Sequence, residues 1–243
     1  MNGPMLSIQG LGKTFTVHQL GKRIKACEGI DIDVAQGELV GITGRSGSGK
    51  STILKLVYRS YLPQRGRAVY RSERFGEIDL FRASERQVIY LRAREIGYVS
   101  QFLGLVPRTT AMEALTQAAL EVGMADDEAR AESEKMLRHF ELDEELWDSY
   151  ANSFSGGEKL RLNVARAMVR RPRLLLLDEP TASLDDHSKG KVRELIEKLK
   201  AEGTTMLGIF HDLQFMEGLC DREYQMGSGR FADPRPALQG APL

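Results

Sequence analysis

Eight consecutive residues constrain this chain more than any others: Gly44-Arg45-Ser46-Gly47-Ser48-Gly49-Lys50-Ser51. They follow a short apolar run, Leu39-Val40-Gly41-Ile42-Thr43, and precede a segment whose apolar residues Ile53, Leu54, Leu56 and Val57 recur at helical spacing. Strand, glycine-rich turn and helix in that order make the phosphate-binding loop G-x-x-x-x-G-K-[ST]. Its glycines let successive backbone N–H groups curl around an anion at a helix N-terminus, where the helix dipole adds to the attraction. Gly44, Arg45, Ser46, Gly47, Ser48, Gly49, Lys50, Ser51 and Thr52 are therefore the expected nucleotide contacts. Lys50 is expected to reach the β- and γ-phosphates and the Ser51 hydroxyl to ligate Mg²⁺. ATP and Mg²⁺ are the implied cofactors.

The rest of the pattern is α/β. Leu6–Gln9 and Ile30–Val34 alternate as strands of a small N-terminal antiparallel β region, and the basic stretch between them reads as a loop. Ile96–Val99 is another expected strand. From Ser155 onward a helix to Val169, a strand Arg173–Leu177, a helix Leu184–Ala201 and a strand Thr205–Phe210 follow in turn. Strands alternating with helices imply a mainly parallel sheet, so the fold class is a P-loop NTPase core with an inserted α-helical lobe. The expected organisation is a single domain over 1–243. The core takes 1–100 and 155–226, the lobe 101–154, and a loose tail 227–243.

Charge narrows the function classes. Lys+Arg and Asp+Glu both number 34, so no global field favours nucleic acid. The nine arginines against four acids between Arg59 and Arg94 read as a solvated face of the core. The ten acids against three bases between Asp126 and Asp148 read as a solvated helical face. No apolar run approaches the roughly 20 residues of a membrane-spanning helix, and the N-terminus does not have the pattern of a signal peptide. Cys27 and Cys220 lie far apart without metal-ligand spacing, as in a cytosolic protein with reduced thiols. The expected localisation is cytoplasmic, with any attachment to the inner membrane made through a partner.

Two further motifs carry chemistry. Leu174–Leu177 is an apolar strand ending in Asp178-Glu179. Downstream of a P-loop the first carboxylate is expected to hold Mg²⁺ and the second, Glu179, to polarise the attacking water. Ser155-Gly156-Gly157-Glu158 opens the next helix, a second helix N-terminus able to bind phosphate. Together these motifs resemble the ATP-binding cassette ATPases, whose signature is Leu-Ser-Gly-Gly-Gln. Phe154 and Glu158 depart from it at the first and last positions. The resemblance covers about Leu6 to Met226. It implies that Ser155, Gly156 and Gly157 grip the γ-phosphate of an ATP on an opposing subunit. It also implies that Gln101 is a Q-loop glutamine near Mg²⁺ or water, and that Ser183-Leu184-Asp185 crosses the dimer seam. By the same resemblance His211 is a switch histidine near the γ-phosphate, and Phe15 stacks on adenine. The expected catalytic residues are thus Glu179, His211, Gln101 and Lys50; the expected metal site is Ser51, Gln101 and Asp178.

The expected partner is a second copy or a second cassette subunit. Five segments, Tyr98–Leu103, Val106–Arg108, Ser153–Glu158, Arg161–Arg166 and Gly208–Asp212, resemble the subunit-L branch of the carbon–phosphorus lyase system of phosphonate breakdown. That resemblance implies a soluble enzyme core complex; the alternative is a transmembrane permease. Phe102, Leu103, Leu105 and Val106 are candidates either for an apolar docking patch or for packing within the lobe.

Overall fold

The computed structural model describes residues 3–17, 21–100, 108–182 and 184–232. Strand β1 (Leu6–Val17) pairs antiparallel with β2 (Lys22–Val34), so most of the basic stretch expected as a loop is strand. The outer half of this hairpin has no core to cover: Arg23, Ile24 and Lys25 are all exposed. The alternation that reveals a half-buried strand is therefore missing there. Gly10 (φ 59°) and Gly29 (φ 65°) sit where the pairing register shifts, a left-handed backbone at each bulge.

Strand β3 (Leu39–Gly44) enters the glycine-rich turn, and α1 (Lys50–Val57) leaves it, burying Ile53, Leu54, Leu56 and Val57 as expected. Strands β4 (Arg65–Ser72) and β5 (Gly76–Asp79) complete an antiparallel sheet ordered β2-β1-β4-β5. Helix α2 (Glu85–Arg94) starts on a Ser84–Gln87 capping box and returns the chain to β6 (Ile96–Ser100). The arginine-rich stretch is therefore not simply a solvated face. The Arg59 side chain is only 8% exposed and donates to the Ala83 carbonyl at 3.0 Å. Arg92 lies over the Tyr58 ring. Arginine stems cover apolar surface while their heads stay polar, a division that composition conceals.

The lobe is helical as expected, with α3 (Ala111–Glu121) and α4 (Asp126–His139) packed together. Then come α5 (Gly156–Met168), β7 (Leu174–Asp178), α6 (Asp186–Ala201) and β8 (Thr205–Ile209). The short α7 (Leu213–Met216), β9 (Arg222–Gly227) and β10 (Arg230–Phe231) end the described chain. The second sheet runs β10-β9-β3-β8-β7-β6, parallel throughout except for β10. The loose tail expected from Gly227 is corrected: β9 and β10 form a hairpin whose turn, Ser228 (φ 48°) and Gly229 (φ 81°), has the twist of a two-residue connection. Residues 233–243 lie outside the described residues.

The central strands of this sheet, β3, β8 and β7, are buried on both faces, which is why they read as largely apolar runs. Leu174 and Leu176 of β7 face one core with Ile42, Ile53 and Leu54, shared with the antiparallel sheet. Leu175 and Leu177 face the other, with Leu162, Val164, Leu195 and Phe210 under α5 and α6. Burying each such side chain contributes about 1.5–3 kcal/mol, so the sheet is a rigid platform for whatever its strand ends carry. No helix among the described residues is long and apolar enough to cross a membrane.

Candidate active site

Parallel pairing brings the motifs together. Asp178, the last residue of β7, is in register with Ile209 on one side and Ser100 on the other. Ile209 is also in register with Ile42 of β3, two residues before Gly44. The P-loop, Asp178-Glu179 and His211 thus emerge at the carboxyl edge of adjacent strands, where α/β sheets bind ligands.

The loop is built around glycine. At Gly49 (φ 105°) an added Cβ would lie 1.7 Å from the Ala26 carbonyl oxygen, and at Gly44 (φ 138°) 2.1 Å from that of Met226. No side chain among the described residues caps α1, so the N–H groups of its first turn are left for an anion, except that of Thr52, which donates to the Gly49 carbonyl at 3.1 Å. The Ser48 hydroxyl is buried without a hydrogen-bond partner among the described residues, an orphaned polar atom within the loop that a phosphate oxygen would satisfy. Lys50 is 3% exposed and donates from Nζ to the carbonyls of Gly44 (2.8 Å) and Arg45 (3.1 Å). Burial lowers its pKa, opposed by the charges of Glu179 and Asp178.

At the strand ends, Ser51 donates to Asp178 Oδ1 at 2.8 Å and the Tyr98 hydroxyl donates to Oδ2. Ser51 and Asp178 are hard oxygen donors of the kind Mg²⁺ takes, and would hold it together with phosphate and water oxygens. Burial, with the Asp178 hydrogen bond next, raises the Tyr98 pKa, so this phenol stays a donor. Glu179 adopts φ 55°, rare for a non-glycine residue and rarer still before a proline. Its N–H reaches the Ile209 carbonyl at 3.2 Å, and its Oε1 lies 2.6 Å from His211 Nε2. Backbone strain of this kind costs about 1–3 kcal/mol and persists where surrounding structure enforces it.

A second group forms around the N-termini of α5 and α6. The Ser155 hydroxyl accepts from the Glu158 N–H, and Glu158 Oε2 accepts from the Ser155 N–H at 2.7 Å. Glu158, whose role the departure from the signature left open, completes a capping box. A Cβ on Gly156 would meet Leu184 at 2.6 Å, so this turn packs on the segment before α6. Asp185 caps α6, accepting from the Ser188 N–H at 2.9 Å and its hydroxyl at 3.0 Å. Phe15 is half-buried outside both cores, edge-on to Tyr61 at 5.2 Å with the Lys13 amine 5.1 Å from its ring.

Gln101, the candidate patch Phe102, Leu103, Leu105 and Val106, and Ser183 lie outside the described residues. Two side chains escaped the sequence reading. Tyr98 holds Asp178, and its signal was a tyrosine inside a strand leading to Gln101. Asn163 is 8% exposed and donates from Nδ2 to the Ser100 carbonyl at 3.0 Å, tying α5 to the end of β6. Its signal was an amide between Leu162 and Val164 on a helix, since buried polar groups need partners.

The ABC transporter family profile matches residues 27–182. The chain belongs to that family. As a member it is an ATP hydrolase that works with ATP and Mg²⁺. A Brucella ovis protein, provisionally named a peptide import ATP-binding protein, is 34% identical over 95% of the cassette and 71% of its own length. The L-cystine import ATP-binding protein of Bacillus subtilis is 31% identical over 97% of the cassette and 92% of its own length. A dimeric ATP-binding cassette in a post-hydrolysis state, bound to ADP and Pi, superposes with a TM-score of 0.85 at 27% identity. That match covers 98% of the cassette and 100% of the other chain.

Proposed function

We propose that two cassettes close on two ATP molecules, each held between the P-loop of one subunit and the Ser155–Gly157 turn of the other, and that closure does work on a partner complex. The observation that carries this is the convergence of Lys50, Ser51, Asp178, Glu179 and His211 at one sheet edge. Gly44–Thr52 bind the phosphates and Phe15 takes the adenine. Ser51 and Asp178, with Gln101, would hold Mg²⁺, which supplies charge neutralisation on the phosphates when bound. Glu179 polarises the water, and His211 holds its carboxylate in place. Asp185 crosses the seam beside Ser155.

The partner reading best supported by the relatives is a membrane transporter, since those reported are import ATP-binding proteins. They favour the permease over the carbon–phosphorus lyase core. The second reading rests on the five lyase-like segments, one of which contains Asn163. Glu179→Gln should bind ATP and hydrolyse it at least about a hundredfold more slowly; turnover within threefold of wild type would remove the assigned role. Affinity purification of this variant with Mg²⁺-ATP, without and then with detergent, decides the partner. A permease recovered only with detergent supports transport, and a soluble enzyme core recovered without it supports the second reading.

A further inference from the structure

Phe15 stands where β1 loses its neighbour on one edge. The pairing of β1 with β4 ends at Gly12 opposite Arg65, and the Gln64 N–H still donates to the Gly12 carbonyl at 2.9 Å. Continued by two residues, this register would set Pro63 opposite Thr14, and proline has no N–H to give the ladder. A side chain takes over instead. Gln64 Oε1 accepts from the Thr14 N–H at 2.7 Å, and Nε2 donates to the Thr14 carbonyl at 2.8 Å. One side-chain amide thus makes both bonds of a hydrogen-bonded strand pair, because it carries the same donor and acceptor as a peptide group.

Two more contacts come from the same short segment. Lys13 Nζ donates to the Leu62 carbonyl at 2.7 Å, and the Tyr61 ring meets that of Phe15 at 5.2 Å between centroids. Residues 61–64 therefore hold Lys13, Thr14 and Phe15 in turn. The segment hangs from the C-terminal end of α1, where the Tyr61 N–H donates to the Lys55 carbonyl at 3.2 Å. The P-loop opens the same helix at its other end. On β2, the Ala26 carbonyl crowds Gly49 of the P-loop, and its neighbours Lys25 and Cys27 pair with Thr14 and Lys13. Phe15 is thus next along β1 from a residue one strand spacing, about 5 Å, from the strand the loop touches.

We propose that Gln64 is a positioning residue for the base of the bound nucleotide: it fixes the end of β1 so that the Phe15 ring is already in place. The inference rests on the reading above that Phe15 takes the adenine. A strand end left unpaired would have to be ordered as the base arrives, and that entropy would weaken binding. The Gln64 amide orders it beforehand.

The test is titration calorimetry of the full chain with Mg²⁺ and either a non-hydrolysable ATP analogue or inorganic triphosphate, which has no base. Gln64→Met keeps nearly the same length and removes both hydrogen-bonding groups. It should weaken the ATP analogue about fivefold and leave triphosphate within about twofold of wild type. Phe15→Ala should also weaken the analogue, and adding Gln64→Met to it should cost nothing further, because Gln64 acts through the ring. Gln64 is exposed, and Gln64→Asn, too short to span both Thr14 groups, serves if Gln64→Met fails to fold. If Phe15→Ala weakens binding and neither Gln64 variant does, the positioning role is overturned while the adenine reading stands. An analogue affinity unchanged by Phe15→Ala would remove the adenine reading and the proposal with it. An equal loss for triphosphate would assign the effect to the P-loop through α1, and would also overturn the proposal.

Discussion

Asp178 accepts one hydrogen bond from the P-loop, through Ser51, and one from the neighbouring strand, through Tyr98. A carboxylate held on both oxygens cannot turn, which is how a supporting residue orients a metal ligand. Tyr98→Phe keeps the ring and removes only the hydroxyl. It should leave thermal stability within about 1 kcal/mol of wild type. The Mg²⁺ concentration for half-maximal ATPase should rise about tenfold, and an unchanged Mg²⁺ titration would show that Ser51 alone suffices. The Glu179–His211 contact belongs to the same scale. Glu179 lies at positive φ, so its side chain leaves the strand in a direction that extended backbone would not allow.

At the scale of elements, the cap of α5 and the closing hairpin are each held by a carboxylate. Glu158→Ala should lose about 1 kcal/mol, or about 2–4 °C in thermal unfolding, while Glu158→Gln should keep both, because glutamine completes the same capping box. Glu28 on β2 pairs with Arg230 of β10 and with Lys25 and Arg65. The Arg230 hydrogen bond, with that of Lys25 next, pulls its carboxyl from the ordinary 4.5 to about 2. A depressed carboxylate stabilises the fold above its ordinary pKa and loses that contribution as pH falls through the folded value. Urea unfolding should therefore find Glu28→Gln less stable than wild type near neutrality. The difference should shrink between pH 4.5 and about 2, and a difference that persisted in acid would point to packing instead of charge.

At the scale of the whole molecule, the two helix N-termini proposed to bind phosphate belong to two different cores, and the proposed closure requires a second chain to bring them together. Ser155 caps its own helix, so replacing it would damage α5 as well as the interface. Gly157 is the cleaner probe: an added Cβ meets Ser188 at an ordinary 3.5 Å. In a Glu179→Gln background, size-exclusion chromatography with Mg²⁺-ATP should show a dimer. Adding Gly157→Glu, which sets a negative charge against phosphate, should leave a monomer whose nucleotide affinity stays within about threefold. A dimer that survives this change would count against the shared site.

What the sequence by itself determined was local. The P-loop, the Asp178-Glu179 strand end and the Ser155–Gly157 turn are contiguous, and each acts through backbone N–H groups, glycine conformations or strand ends that spacing alone specifies. The buried strands were legible for the same reason, as unbroken apolar runs such as Leu174–Leu177. The tertiary structure alone decided which distant groups meet. Tyr98 finds Asp178 across 80 residues of chain and Asn163 finds Ser100 across 63. The outer half of the β1–β2 hairpin and the β9–β10 hairpin were hidden because strands at a solvated edge bury little on either face. The arginines of 59–94 read as solvent-facing because charge in sequence does not say where an apolar stem rests. Arg59 packed inward, and Arg92 came to lie over the Tyr58 ring. Such contacts arise from packing between elements far apart in the chain, which no local pattern encodes.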